Sequence, residues 1–170
     1  LILNYPSNPT GACYDRDELA ALAEVIVARN LLVVADEIYE KLLYDRRRFT
    51  SIAAIGPEIA ARTIVVNGMS KAFAMTGWRL GWLIAPPTHI RALQRLYGNF
   101  FISTNEFVQW AGVAALREAA DETVRFRGVF AERRRAMVAG LRAIGLGVGF
   151  EPQGAFYVLA NARRFTSDSV

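Results

Sequence analysis

Three short apolar runs mark the first part of the chain, at residues 1–3, 31–35 and 63–66. Each run is continuously apolar rather than alternating, which is typical of strands whose two faces are both covered in a parallel sheet. Between the first two runs, Asp15 and Glu18 form a capping-box pattern, and apolar residues then recur at helical spacing. Strand, helix and strand in this order predict a parallel βαβ unit with a right-handed crossover.

The pattern becomes mostly helical in the second half of the chain. An apolar run at residues 80–85 predicts one more strand before two consecutive prolines. Helices are predicted over about 88–97, 107–120 and 121–144, where apolar residues recur every three or four positions. The chain therefore alternates strands and helices at first and then continues in long helices.

A glycine-rich stretch at residues 145–149 follows the last predicted helix and indicates a flexible break. The apolar run at residues 156–159, after Gly154, predicts another strand. The whole pattern predicts an α/β fold, with a mostly parallel sheet and helices on both faces, followed by the start of a smaller α+β domain. The predicted division places residues 1–120 in the large domain and residues 121–170 in the connecting helix and the small domain.

Composition and charge narrow the classes of protein that fit the sequence. With 53% hydrophobic and 21% charged residues, the 170-residue chain is typical of a globular protein. The net charge is +4, but the arginines are scattered over predicted helices, which favours solvated helix faces over a nucleic-acid site. Cys13 is the single cysteine, so the sequence holds no internal disulfide. No apolar run approaches the roughly 20 residues that a membrane helix needs. We expect a cytoplasmic protein that binds neither nucleic acid nor membrane.

Polar side chains follow each of the first three predicted strands. Residues 4–11, Asn-Tyr-Pro-Ser-Asn-Pro-Thr-Gly, come after the first strand, Asp36 and Tyr39 come after the second, and Ser70 and Lys71 come after the third. In open α/β sheets, ligands bind at the carboxyl ends of the strands. We therefore expect these side chains to surround one crevice.

The residue types in this crevice suit a particular chemistry. A lysine amine can form an imine with an aldehyde, and Asp36 can keep a heteroaromatic nitrogen protonated. Tyr39 and Asn8 can hydrogen-bond a ring hydroxyl, while Arg79 offers a two-pronged donor for a phosphate. Each residue taken alone also has an ordinary explanation as a surface lysine, a helix cap or a turn. Their joint placement is what favours a binding site.

Four segments resemble the class I/II aminotransferases, which are fold-type I pyridoxal-phosphate enzymes. They are Asn-Pro-Thr-Gly at residues 8–11, Asp-Glu-Ile-Tyr at 36–39, Ser-Lys-Ala-Phe-Ala-Met-Thr-Gly-Trp-Arg-Leu-Gly-Trp at 70–82, and Gly-Ala-Phe-Tyr at 154–157. Their order and spacing agree with the family along nearly the whole chain. The segment around the lysine is the most specific of the four.

The resemblance implies a role for each residue of the crevice. Lys71 would hold pyridoxal phosphate as a Schiff base and carry the proton between the substrate Cα and the cofactor. Asp36 would pair with the pyridinium nitrogen, and Tyr39 and Asn8 would bind the phenolic oxygen of the ring. Arg79 would bind the phosphate. The resemblance also implies amino-acid and 2-oxo-acid substrates, a homodimer, and no metal.

Gly68 departs from the family pattern. Many members carry Ser or Thr three residues before the lysine, where the hydroxyl binds the phosphate, but this chain has glycine there. Ser70 is the nearby hydroxyl that can replace it. Phosphate binding in this segment is therefore expected to depend chiefly on Arg79.

The resemblance also implies that some functional parts of the family lie outside this sequence. The chain does not begin with Met, and we expect it to be an internal piece of a longer protein. The family's phosphate loop would lie before residue 1, and its carboxylate-binding arginine would lie after residue 170. We expect the piece alone to be inactive. Two alternatives use the same fold: a pyridoxal-phosphate-dependent lyase, and the effector domain of a transcription regulator.

Overall fold

Four strands form one sheet in a computed structural model that describes residues 1–167. The strands are β1 (Ile2–Asn4), β2 (Val33–Asp36), β3 (Thr63–Gly68) and β4 (Gly81–Ile84), and they lie side by side in that order. β1 pairs with β2, and β2 with β3, in parallel, whereas β4 runs antiparallel to β3. The predicted α/β fold with a mostly parallel sheet is confirmed.

Six α-helices connect or follow the strands in the described residues. They are α1 (Arg16–Ala28), α2 (Pro57–Ala60), α3 (Met69–Ala72), α4 (Pro87–Phe100), α5 (Glu106–Glu118) and α6 (Ala120–Ala143). Single turns of 3₁₀ helix lie at Ile52–Ala54 and Thr76–Trp78. The predicted helices after residue 86 are thus observed, with α4 extending three residues beyond its predicted end.

The start of α1 shows how the sequence sets an element boundary. The Asp15 carboxylate accepts hydrogen bonds from the backbone N–H groups of Asp17 and Glu18, at 3.0 and 2.9 Å. The Glu18 carboxylate accepts in return from the Asp15 N–H at 2.8 Å. This is the predicted capping box, and it satisfies backbone donors that a helix start leaves unpaired.

The apolar core lies between α1 and the sheet. Burial of these side chains removes apolar surface from water, which is the main force that holds the crossover on the sheet. Its buried members are Leu3, Tyr5, Leu19, Ala23, Ile26, Val33, Ala35, Ile52, Ile59 and Val65. In β3, the neighbouring residues Ile64 and Val65 are both buried, so both faces of this central strand are covered.

The predicted strand at residues 156–159 is wrong. Gly154 makes one isolated antiparallel bridge with Leu43, but the described chain has no strand at 156–159. Within the described residues no strand pairs with this segment, and the chain bends immediately after the bridge at Ala155, whose φ of 56° is left-handed. The segment is held by other contacts, which bear on the site described below.

The predicted division at residue 120 stays a prediction. The long helix α6 begins at Ala120, but residues 168–170 of the predicted second domain lie outside the described residues. Among residues 1–167, no helix is both long and apolar enough to cross a bilayer.

Candidate active site

Asp36 is fixed at the end of β2 by a residue at the end of β1. Asn4 and Asp36 are register partners in the parallel pair, and the Asn4 amide donates to Asp36 Oδ2 at 3.1 Å. The other carboxylate oxygen of Asp36 accepts from the Ile38 N–H at 3.3 Å. The side-chain amide oxygen of Asn4, Oδ1, accepts from the Asn8 N–H at 2.9 Å. Asn4 therefore joins two predicted site residues, Asn8 and Asp36, although the sequence analysis did not assign it a role.

The acidic neighbour of Asp36 has a different environment. Glu37 is buried, and its carboxylate accepts from Ser51 Oγ at 2.6 Å and from the Tyr5 hydroxyl at 3.4 Å. Burial raises the pKa of Glu37, an effect that these two hydrogen bonds oppose. Glu37 therefore lies in the protein interior, whereas the half-buried Asp36 lies at the edge of the sheet formed by the carboxyl ends of the parallel strands.

Tyr39 follows β2 and is buried to 96% of its surface, with 4% exposed. Its hydroxyl lies 2.8 Å from the hydroxyl of Tyr157. Burial raises the pKa of the Tyr39 phenol well above its usual value, and the charge of Asp36 adds to this. Tyr39 is therefore protonated at neutral pH and can donate a hydrogen bond.

Lys71 lies in α3, directly after the strand that neighbours β2. Its Nζ is 5.8 Å from the centre of the Tyr39 ring and 5.5 Å from the centre of the Phe156 ring. The side chain is half-buried and lines an open cleft of about 470 Å³ together with Ser70 and Phe156. The structure thus brings Lys71 and Tyr39 together, as predicted, and adds Phe156.

Close strand contact explains the glycine at position 68. A Cβ atom there would lie 2.8 Å from the Leu80 carbonyl oxygen and 3.0 Å from the Cα of Gly81. Gly68 and Gly81 are register partners in the antiparallel pair β3–β4. A hydroxyl-bearing residue cannot stand at position 68 unless the strands move apart.

Arg79 lies in a neighbouring cleft. It is exposed, its backbone is left-handed with a φ of 55°, and its guanidinium donates to the Thr76 carbonyl at 3.0 Å. This second cleft has a volume of about 540 Å³ and includes Ser103. The Thr76 hydroxyl donates to the Ser70 carbonyl at 3.0 Å, so Thr76 connects the two clefts. The structure does not place Arg79 against Lys71.

Comparisons with known proteins decide the family. Residues 1–167 match the model of the family described as aminotransferase class I and II. The chain belongs to the class I and II aminotransferases.

Curated aminotransferases match this chain over almost its whole length. The aspartate aminotransferase of Geobacillus stearothermophilus is 40% identical over 163 residues, which are 96% of this chain and 42% of that protein. The aspartate/prephenate aminotransferase of Thermus thermophilus is 40% identical and is covered to 44%. The chain spans less than half the length of these relatives.

Solved aminotransferase structures have the same fold. The aromatic aminotransferase from Pyrococcus horikoshii OT3 matches with a TM-score of 0.89 and 37% identity, over 94% of this chain and 43% of that one. A mutant of the Thermus thermophilus aspartate aminotransferase matches with a TM-score of 0.90 and 40% identity, over 99% and 44%. These matches confirm the predicted fold-type I class.

The side chains of this aminotransferase site fit pyridoxal phosphate by their chemistry. An amine, a carboxylate with both oxygens oriented, and a protonated phenol match an aldehyde, a ring nitrogen and a ring hydroxyl. In the described part of the chain, no group of three or more His, Cys, Asp or Glu is arranged to hold a metal ion.

Three contributors to the site were missed by sequence reasoning. Asn4 carries a readable signal, because it directly follows the first predicted strand, which is predicted to lie beside the strand that precedes Asp36. Phe156 and Tyr157 carry only the resemblance of their segment to the family. Their contacts with Lys71 and Tyr39 depend on how the chain returns after α6.

Proposed function

We propose that the complete protein is a pyridoxal-phosphate-dependent aminotransferase, which transfers an amino group between an amino acid and a 2-oxo acid. The observation that carries the proposal is the position of Lys71 beside the Tyr39 ring, at the sheet edge where Asp36 also lies. The names of the relatives support the reaction class.

Each site residue has a part in holding the cofactor. Lys71 would bind its aldehyde carbon, Asp36 its ring nitrogen, and Tyr39 and Asn8 its ring hydroxyl. The phosphate would be bound from the side of Ser70 and Arg79. When bound, pyridoxal phosphate supplies a protonated ring that accepts electrons from the substrate Cα.

The protein's own side chains prepare and complete the proton transfers. Asp36, held by Asn4 and the Ile38 N–H, presents a fixed negative charge that keeps a bound ring nitrogen protonated. Tyr39 donates from a protonated phenol. With the cofactor bound, the Lys71 amine would accept the proton of the substrate Cα and would donate it to the cofactor carbon from which the amino group is transferred. The rings of Tyr39 and Phe156 lie beside the amine, with their centres 5.8 and 5.5 Å from Nζ.

The names of the relatives favour aspartate as an amino donor, with a 2-oxo acid as acceptor. A homodimer and a cytoplasmic location are part of the same proposal. A lyase on the same fold is the alternative, and an assay of the products distinguishes it from an aminotransferase.

The test uses the two lysines of the chain, Lys71 and Lys41. The complete protein is incubated with aspartate and a 2-oxo acid, and both the new amino acid and free ammonia are measured. We expect one new amino acid to form for each aspartate consumed. Lys71→Ala should lower the rate of this transfer by a factor of at least about a thousand. Lys41→Ala is the matched control, because Lys41 is exposed and forms an ion pair with Glu40 at 3.6 Å. Release of ammonia without a new amino acid would instead identify a lyase.

A further inference from the structure

Tyr157 contacts Tyr39 from a distant part of the chain. The two hydroxyl oxygens are 2.8 Å apart, and the rings are nearly perpendicular, with centres 5.8 Å apart. Tyr39 follows β2, whereas Tyr157 follows α6, and 118 residues separate them. Neither oxygen is assigned as the donor by the geometry alone.

The segment that carries Tyr157 is anchored to the main body by its backbone. The Ala155 N–H donates to the Leu42 carbonyl at 2.9 Å, and the Tyr44 hydroxyl donates to the Ala155 carbonyl. A Cβ atom at Gly154 would lie only 2.7 Å from Pro6 and 2.9 Å from the Leu42 carbonyl oxygen. Tyr157 is therefore presented to Tyr39 by a closely packed turn that begins two residues earlier.

A phenol has one hydrogen, and this limits what Tyr39 can do. If Tyr39 donates to Tyr157, no hydrogen remains for a ligand in the crevice. If Tyr157 donates to Tyr39, the Tyr39 hydrogen is free to point into the crevice. Phenols linked in this way also polarise each other, so the second hydrogen bond is strengthened.

We propose that Tyr157 is a positioning residue whose hydroxyl donates to Tyr39 and so directs the Tyr39 hydrogen toward the ring hydroxyl of the cofactor. This inference rests on the proposed function. Tyr157 acts only through Tyr39, and this separates it from a residue that touches the cofactor itself.

Burial raises the pKa of the Tyr39 phenol, so Tyr39 keeps the hydrogen that Tyr157 would direct. The nearby charge of Asp36 acts in the same direction. A protonated Tyr39 whose hydrogen is free can donate to the ring oxygen of a bound cofactor. Tyr157 supplies the complementary donor from behind.

The experiment is a double-mutant cycle on the complete protein with four members: wild type, Tyr157→Phe, Tyr39→Phe and the double variant. Two properties are measured. One is the pH at which the near-visible absorbance of the bound cofactor changes. The other is the affinity for pyridoxine 5′-phosphate, which has the ring hydroxyl and phosphate but no aldehyde, and so binds without a bond to Lys71.

We expect Tyr157→Phe to shift the absorbance midpoint in the same direction as Tyr39→Phe, by a smaller amount. It should weaken pyridoxine 5′-phosphate binding by about three- to tenfold, the value of one hydrogen bond. In the Tyr39→Phe background, Tyr157→Phe should change neither property, because Tyr157 acts only through the Tyr39 hydroxyl. The effects of the two substitutions are then not additive. Tyr14→Phe, which removes a hydroxyl from an exposed phenol, is the control and should change neither property.

Two results would overturn the inference. Full effects of Tyr157→Phe in the Tyr39→Phe background would show that Tyr157 acts directly or through the fold. An unchanged midpoint and affinity in Tyr157→Phe would show that it has no positioning role. Failure of the proposed function gives a different result. In that case the wild type would bind no cofactor whose binding depends on Lys71, so Lys71→Ala would release none. The inference would then fall with the proposed function.

Discussion

The side-chain amide of Asn4 donates a hydrogen bond of 3.1 Å to the carboxylate of Asp36, across the ends of two adjacent parallel strands. The same side chain accepts from the Asn8 N–H, so the turn that carries Asn8 and the carboxylate of Asp36 share one support. A fixed carboxylate needs no reorganisation when a positively charged ring nitrogen binds.

Asn4→Asp is expected to weaken cofactor binding. The change replaces the donor with a second carboxylate, and two adjacent carboxylates cannot both ionise freely, so Asp36 becomes harder to deprotonate. We expect the affinity for pyridoxal phosphate to fall by about tenfold or more, equivalent to at least about 1.4 kcal/mol. Equilibrium dialysis of the complete protein measures it.

Asn30→Asp is the matched control for this substitution. It makes the same change of charge at an exposed position, where the Asn30 oxygen accepts from Arg62 at 2.7 Å. Its affinity should equal that of the wild type. If Asn4→Asp binds the cofactor as tightly as Asn30→Asp, Asn4 does not support Asp36.

Gly68→Ala is expected to destabilise the protein by about 1–3 kcal/mol, because a methyl group would meet the backbone of Leu80 and Gly81 at 3.0 Å or less. Gly140→Ala in α6 is the control. A Cβ atom at Gly140 meets nothing within 4 Å, so the change should raise helix stability by up to about 1 kcal/mol. Urea denaturation of both variants gives the free energy of unfolding. Equal stability of the two variants would contradict the close strand contact.

A two-pronged ion pair is expected to make stability depend on pH at the acid end. The Arg134 guanidinium is buried and bonds both oxygens of Asp45, at 2.7 and 2.9 Å. Hydrogen bonds from Arg134 hold the pKa of Asp45 below its usual value. The ion pair therefore contributes fully to the free energy of unfolding when the pH is above the usual pKa of an Asp carboxyl. This contribution is lost as the pH falls through the lowered pKa of Asp45.

Asp45→Asn tests this pair, because asparagine tolerates the left-handed backbone at this position, where φ is 55°. Since the Asp45 side chain is 62% exposed and solvent screens it, we expect a loss of about 1–2 kcal/mol at neutral pH. The difference from wild type should shrink toward zero as the pH approaches the lowered pKa. Denaturation curves measured from neutral to strongly acidic pH check this. A difference that stays constant over that range, as expected for the exposed control Glu132→Gln, would refute the linkage.

A polypeptide confined to residues 1–170 is expected not to transaminate. It spans less than half the length of its curated relatives, and Arg79, the expected phosphate ligand, lies in a separate and exposed cleft. Incubation of the purified polypeptide with pyridoxal phosphate, aspartate and a 2-oxo acid measures this. Sustained turnover would show that the described site is sufficient by itself.

Local sequence signals predicted much of the fold. Continuous apolar runs marked β1, β2 and β3, and Asp15 with Glu18 marked the start of α1, because these signals depend on a few neighbouring residues. The same signals placed Asp36 and Lys71 at one sheet edge, since parallel strands bring their carboxyl ends together.

Contacts between distant residues were beyond such signals. The pairing of Tyr39 with Tyr157 spans 118 residues and depends on the course of the chain after α6. The apolar pattern at residues 156–159 predicted a strand, but a strand also needs a partner, and no strand of the described residues pairs with this segment. The separation of Arg79 from Lys71 likewise depends on the turn between them.

The most direct test of the central claim is the location of the covalent bond to the cofactor. The complete protein is loaded with pyridoxal phosphate, reduced with borohydride, digested and mapped by mass spectrometry. The chain has two lysines, so the assignment is unambiguous within it. We predict a reduced pyridoxyl group on Lys71 and none on Lys41. A group on Lys41, or a stable borohydride-reducible adduct that persists in Lys71→Ala, would contradict the assignment of Lys71.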